Sequence, residues 1–364
     1  MINNEASASR NYGIDLLRMV SMFLVAILHT LGQGGVIGVT GVGTASYAAV
    51  WFLETAAYCA VNCYALISGY VSVKAGGRGF KPVRYKLSRF LNLWLEVTFY
   101  TVSMTAIFAV AFPGTVGLKE AVSAFFPLLS KQYWYFNAYF VLFLFMPFVD
   151  RLIEVLSKKE MQLLLGAIGL GFSILPTIAN KDIFVTGKGY SGLWLICLYI
   201  IGAYVKLYMK ALPVKKWQSI GLYMVCVGAA WLWKIVDFGQ VRNLFIHYTS
   251  PLILMAAVCL LLFFRDCRFG PRSRRLIALL SPAAFGVYLI HVNPLFWEHV
   301  MKKAFVDFKT LPPAALVLAV MATAFWIYAA GSVIDVVRIR IFDGCRRVGQ
   351  WVLRGWRKGN IKLS

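Results

Sequence analysis

Apolar residues fall into ten runs of roughly bilayer-crossing length. They lie near 14–33, 47–71, 91–112, 133–150, 161–178, 191–206, 218–236, 248–264, 277–298 and 313–337. Short polar stretches rich in Lys and Arg separate them. A helix needs about 20 such residues to cross the hydrocarbon core. The pattern predicts an all-α fold, a polytopic transmembrane helical bundle of about ten spans. Residues 1–13 are polar and carry no signal-peptide cleavage pattern, so the first run is expected to stay as a membrane helix.

Charge gives this bundle a direction. The chain has 37 Lys+Arg against 15 Asp+Glu, a formal net charge of +22, yet it is 60% hydrophobic with a mean hydropathy of +0.70. A disordered chain is excluded by that apolarity. A nucleic-acid partner is not indicated, because the basic residues sort by loop. With the N-terminus inside, alternate loops and the two termini place 27 basic residues on one side and 8 on the other, leaving Arg18 and Lys234 within spans. That bias predicts both termini cytoplasmic and an even number of spans. In the tail, Ile341, Cys345, Val348 and Val352 recur at helical spacing among Arg and Lys. This reads as a basic amphipathic helix on membrane lipids, dividing the chain into 1–337 and 338–364. The seven cysteines lie mostly in apolar stretches. They suggest neither a disulfide framework nor a metal site.

Ionisable residues inside spans are costly, so each is a functional candidate. The first span holds Asp15, Arg18 and His29. Eleven residues separate Arg18 from His29, which is three turns plus about 20°, or roughly 16 Å along one face. Asp15 precedes Arg18 by three and can pair with it. The same spacing also fits an end-of-helix ion pair with His29 capping the far end. In the ninth span Ser281, Phe285 and Tyr288 share a face, with His291 one turn beyond Tyr288. Glu54 and Asn62 are polar positions of the second span.

Four stretches together carry a family resemblance. Gly13-Ile-Asp15-Leu-Leu-Arg18, followed by ten residues and His29, resembles the opening of the integral-membrane acyltransferase-3 family. Asn62-Cys-Tyr64-Ala-Leu-Ile-Ser68-Gly69-Tyr70 is similar to the end of its second helix. Tyr133-Trp134-Tyr135-Phe136-Asn137-Ala-Tyr139 with Pro147 resembles its Trp-Phe segment. Ser281-Pro-Ala-Ala-Phe285-Gly-Val-Tyr288-Leu-Ile-His291 resembles its late Ser…His segment. The capsule and exopolysaccharide O-acetyltransferase branch is the most similar in style. One departure stands out. The family often carries Arg-x-x-Arg after the second helix, and here Lys86-Leu-Ser-Arg89 stands there, preceded by Arg84. Lysine keeps the charge but loses the planar fork.

The resemblance implies transfer of an acyl group, usually acetyl, from acetyl-CoA to a hydroxyl of a cell-envelope glycan or lipid-linked sugar, at a bacterial inner membrane. A hydroxyl needs a base, and histidine suits that role. His29 is the candidate, either deprotonating the acceptor directly or carrying the acyl group transiently. Arg18 would meet donor phosphate or a developing oxyanion, with Asp15 holding it. Arg84, Lys86 and Arg89 would receive the coenzyme A phosphates, although a basic cytoplasmic loop is also ordinary topology. Tyr288, His291, Glu54 and Asn62 are expected on the acceptor side. Trp134 and Tyr139 would stack on a sugar, or else belong to an interfacial aromatic belt. Ser281 reads as a hydrogen-bonding residue, since no nucleophile elbow surrounds it. A transporter or flippase for a lipid-linked sugar fits many of the same features. It would be expected to show paired broken-helix repeats, which the sequence lacks.

Overall fold

The computed structural model describes residues 10–73, 83–209, 215–236 and 239–360, with the backbone alone at 83–87, 89, 240 and 347–360. Among these residues every helix or strand element is helical. In chain order the helices are α1 (Tyr12–Leu31), α2 (Ala45–Ala57), α3 (Ala60–Ser72), α4 (Val83–Ala111), α5 (Leu118–Phe125), α6 (Trp134–Val155) and α7 (Lys158–Ile178). They continue as α8 (Gly192–Tyr208), α9 (Lys216–Ile235), α10 (Pro251–Arg265), α11 (Pro271–His291) and α12 (Pro313–Asn360). Each of the ten apolar runs falls on a helix. By length and composition six stretches suffice to cross a membrane: α1, α2 with α3, α4, α7, α11 and α12. Others fall short for visible reasons. Gln218 and Lys234 dilute α9. The 15 residues of α10 span only about 22 Å, against a core of about 30 Å. α12 runs unbroken from Pro313 into the basic tail.

Asn11 starts α1. Its side chain accepts the N–H groups of Gly13 and Ile14, and its amide donates to the Arg265 carbonyl at 3.0 Å. One residue thus caps α1 and seats it against the end of α10. A tight crossing with glycine on both sides joins α3 to α8. A Cβ on Gly69 would sit 1.9 Å from the Tyr199 carbonyl oxygen, and one on Gly202 would sit 2.1 Å from that of Leu66. Small residues let two membrane helices approach backbone to backbone. Gly202→Leu is therefore expected to cost more than the roughly 1–3 kcal/mol of ordinary overpacking, because the obstacle is main chain. Size-exclusion chromatography in detergent should show loss of the monodisperse peak. Gly221→Ala, where nothing lies within 4 Å, should keep it.

Around this crossing the core fills with Trp194, Tyr199, Tyr133 and Phe136, all fully buried. The Tyr199 hydroxyl donates to Asp150 at 2.6 Å. A separate polar knot joins α4 and α12, where Asp335 accepts from Tyr100 and Arg338, each at 2.6 Å. α11 breaks at Ser281–Ala283 into a 3-10 turn and ends at His291. The chain then turns at Asn293 and Pro294 and re-enters the bundle end. Lys303 N–H donates to the Gln33 carbonyl and Phe305 N–H to that of Gly34. These bonds fasten the re-entrant segment to the end of α1.

Candidate functional site

The two histidines singled out by sequence meet, although 262 residues separate them. His29 Nδ1 lies 2.9 Å from His291 Nε2. His291 Nδ1 lies 2.6 Å from the Val287 carbonyl, which only accepts. His291 must therefore donate from Nδ1, so its neutral ring presents Nε2 as an acceptor. His29 then donates from Nδ1, and its own Nε2 carries the lone pair. The Trp297 ring stands edge-on to His29, with centroids 4.7 Å apart. The protonation pattern of His29 is thus set by a main-chain carbonyl one residue removed, and its orientation by the re-entrant segment.

His29 also stands where two cavities meet. On one side is a narrow passage of about 40 Å³, lined by Met22 and Val25 of α1, Val61 and Tyr64 of α3, and Phe285 and Tyr288 of α11. It extends from His29 to within one turn of Arg18, whose carbonyl accepts the Tyr64 hydroxyl at 2.9 Å. On the other side is a chamber of about 500 Å³, whose walls include Gln33, Glu54, Gln132, Tyr190 and Trp297. Trp134 and Tyr248 belong to both walls. The passage is apolar and thin, while the chamber is aromatic and polar and fits a ring.

Beyond the far end of the passage Asp15 lies between two guanidinium groups, 2.5 Å from Arg10 and 3.1 Å from Arg18. Arg10 also reaches Ser281 Oγ at 3.3 Å. Asp15, Arg18 and His29 thus lie along one helix, with His29 in the walls of both cavities and Arg18 one turn beyond Met22, the last lining residue of α1 on that side.

The remaining candidates separate by what they touch. Tyr288 lines the passage and Trp134 both cavities. Glu54 is buried in the chamber wall. Its Oε2 has no hydrogen-bond partner among the described residues, and Lys234 is near enough to act on its charge. Asn62 is fully committed to neighbours. Its amide donates to the Tyr248 carbonyl at 2.8 Å, and its oxygen accepts from Trp194 Nε1 at 3.1 Å. It positions Tyr248 rather than lining a cavity. Tyr139 stacks beside Tyr135 and packs on the core. Arg84, Lys86 and Arg89 lie on the first turns of α4, where side chains are outside the described residues. No group of three or more metal-ligating side chains forms among the described residues.

Sequence reasoning did not find Tyr248, Tyr190, Trp297 or Lys131. Tyr248, Tyr190 and Lys131 sit in turns and connecting segments, and Trp297 in the short helical re-entrant segment, so the place of all four depends on tertiary packing. Tyr190 is presented by a loop built on Asp182. Burial raises the pKa of the Asp182 carboxyl, but hydrogen bonds from Thr186, Gly187 and Lys188 outweigh it and hold it below the usual range. Lys188 and Gly187 both take left-handed backbone there.

A helical bundle with membrane-length helices and a histidine pair beside two internal cavities has the character of a membrane protein. Residues 11–331 match the acyltransferase domain of the acyltransferase-3 family, and the chain belongs to that family. It is thus a membrane acyltransferase, with an acyl donor on one side of its chemistry and an acceptor on the other. No curated protein and no solved structure matches the chain.

Proposed function

We propose that the protein transfers an acyl group, acetyl in the first instance, from acyl-CoA to a hydroxyl of a cell-envelope glycan or lipid-linked sugar. The capsule and exopolysaccharide O-acetyltransferases are the branch it would join. The observation that carries this reading is the position of His29, at the meeting point of a thin apolar passage and a wide polar chamber. In this arrangement the Arg18 end faces the bacterial cytoplasm, as the distribution of basic residues requires, with ten spans and both termini inside. The 338–364 segment lies along the anionic leaflet.

The acyl end of the donor's pantetheine arm would enter the small cavity beside His29, whose walls would have to part to admit it. The nucleotide and its phosphates would stay at the basic end, near Arg18 and Arg10 and the Arg84, Lys86 and Arg89 turn. Asp15 orients both guanidinium groups. The acceptor sugar would lie in the chamber on Trp134 and Tyr248, with hydroxyls donating to Glu54. His29 Nε2 takes the proton of the acceptor hydroxyl as its oxygen forms the ester bond. The acyl carbon–sulfur bond breaks, and the proton passes to the leaving thiolate. His291 accepts the His29 Nδ1–H throughout and so keeps the imidazole aligned.

The test uses purified full-length protein in nanodiscs, acetyl-CoA, a thiol reagent, and envelope glycan from cells lacking the protein. Thiol release that depends on glycan, with one new O-acetyl group on the glycan by mass spectrometry, is the expected result. Glycan crossing the bilayer without thiol release would overturn the reading in favour of a transporter.

A further inference from the structure

The chamber is not closed at its far side. A second cavity of about 240 Å³ adjoins it, and Lys131, Gln132 and Pro294 form part of both walls. The second cavity has a different character. It has no aromatic side chain in its wall. Thr105, Ser123, Ser130 and two lysines, Lys119 and Lys131, line it instead.

Its wall sets two lysines against one carboxylate, that of Glu120, which is near enough to Lys119 to share its charge and leaves Lys131 as the principal cation. Glu120 accepts the Gly117 N–H at 2.9 Å and closes the first turn of α5. Backbone N–H groups of Glu120 itself and of Gly117 hold that carboxyl below its usual range. Asn293 is engaged too, donating to the Tyr133 hydroxyl and accepting from Leu295 N–H. Lys131 makes no ion pair among the described residues. It sits in left-handed backbone at φ 52°, fixed by a turn in which Ser130 N–H donates to Phe126, Lys131 N–H to Leu128 and Gln132 N–H to Pro127. A non-glycine residue there persists only when its surroundings over-determine it. Only 8 basic residues lie at this end of the bundle by the loop count, and two of them converge on this one cavity.

We propose that the acceptor is an anionic oligosaccharide or polymer that fills both cavities. The residue to be acylated lies in the chamber beside His29, and the carboxylate or phosphodiester of a neighbouring residue sits on Lys131 and Lys119. This rests on the acyl-transfer reading above and narrows its substrate. A single neutral lipid-linked sugar would leave the second cavity unused.

The experiment measures acetyl transfer by wild type, Lys131→Ala, Lys131→Arg and Lys119→Ala to envelope polysaccharide from cells lacking the protein. The polysaccharide is supplied native, carboxyl-reduced, or stripped of phosphodiester with aqueous hydrogen fluoride. With native polysaccharide, Lys131→Ala is expected to raise KM about tenfold and leave kcat within about twofold, with Lys131→Arg close to wild type. The rise should shrink at high salt. Whichever treatment brings wild type to the KM of Lys131→Ala identifies the anion. Wild-type transfer with an unchanged KM in Lys131→Ala, or equal KM for native and both treated acceptors, overturns this inference alone. Absence of wild-type transfer to every form overturns the acyltransferase reading and this inference with it.

Discussion

His29→Ala lowers acceptor-dependent thiol release by about 10²–10⁴-fold, the range expected for losing a positioned general base. The hydrogen-bond order around His291 dictates this outcome. Val287 offers only a carbonyl, so His291 donates to it, and His29 in turn donates to His291. The chain ends with a lone pair on His29 Nε2 beside both cavities. Removing His29 removes that lone pair, and no other described basic side chain takes its place between passage and chamber. His291→Ala should do less, since it leaves the base but not its alignment. His291→Gln, able to accept from His29, should recover part of the loss. Initial rates with matched amounts of folded protein decide it. A wild-type rate in His29→Ala would refute the assignment.

Val61→Trp closes the passage and lowers kcat/KM for acetyl-CoA by about 10²-fold, as a displacement of the donor by an ångström or more would. Val61 is buried in the passage wall, and the free space there is only about 40 Å³. The added indole has nowhere else to go. A small acyl ester such as p-nitrophenyl acetate enters through the chamber and should still be turned over in a His29-dependent way. That contrast separates a blocked passage from a misfolded protein. Equal loss with both donors, or loss with neither, would refute the two-sided route.

Helical periodicity was enough to place Asp15, Arg18 and His29 on one face, because all three share α1 and the period of the helix is fixed. It could not show that His29 stands in the walls of two cavities, since the facing side chains come from α3, α6 and α11. His291 was visible from its motif, but its contact with His29 rests on how α11 ends and turns at Asn293. Asn62 marks a different boundary. A polar residue inside an apolar helix looks the same in sequence whether it meets substrate or, as here, Tyr248 and Trp194. Lys131 and Trp297 were illegible for a third reason. Lys131 sits in a turn and Trp297 in a short irregular helix of the re-entrant segment, and neither carries a periodicity long enough to show its facing partner. All ten apolar runs became helices, but length and composition alone suffice for six of these stretches to cross a membrane, since helices such as α10 reach bundle length without bilayer length.

The passage and the chamber are made of different material. Helices supply almost all of the passage, where α1, α3 and α11 are locked by the backbone contacts of the core. Turns and connecting segments supply most of the chamber: the end of α1, the bend at Tyr58, the turn at Lys131, the Asp182-built loop and the re-entrant stretch at Trp297. Loops tolerate insertion and exchange far better than packed helices do. A descendant of this chain can therefore exchange one acceptor for another by altering rim segments, while the helices around the histidine pair stay as inherited. Grafting those segments between homologues is the natural way to redirect its selectivity.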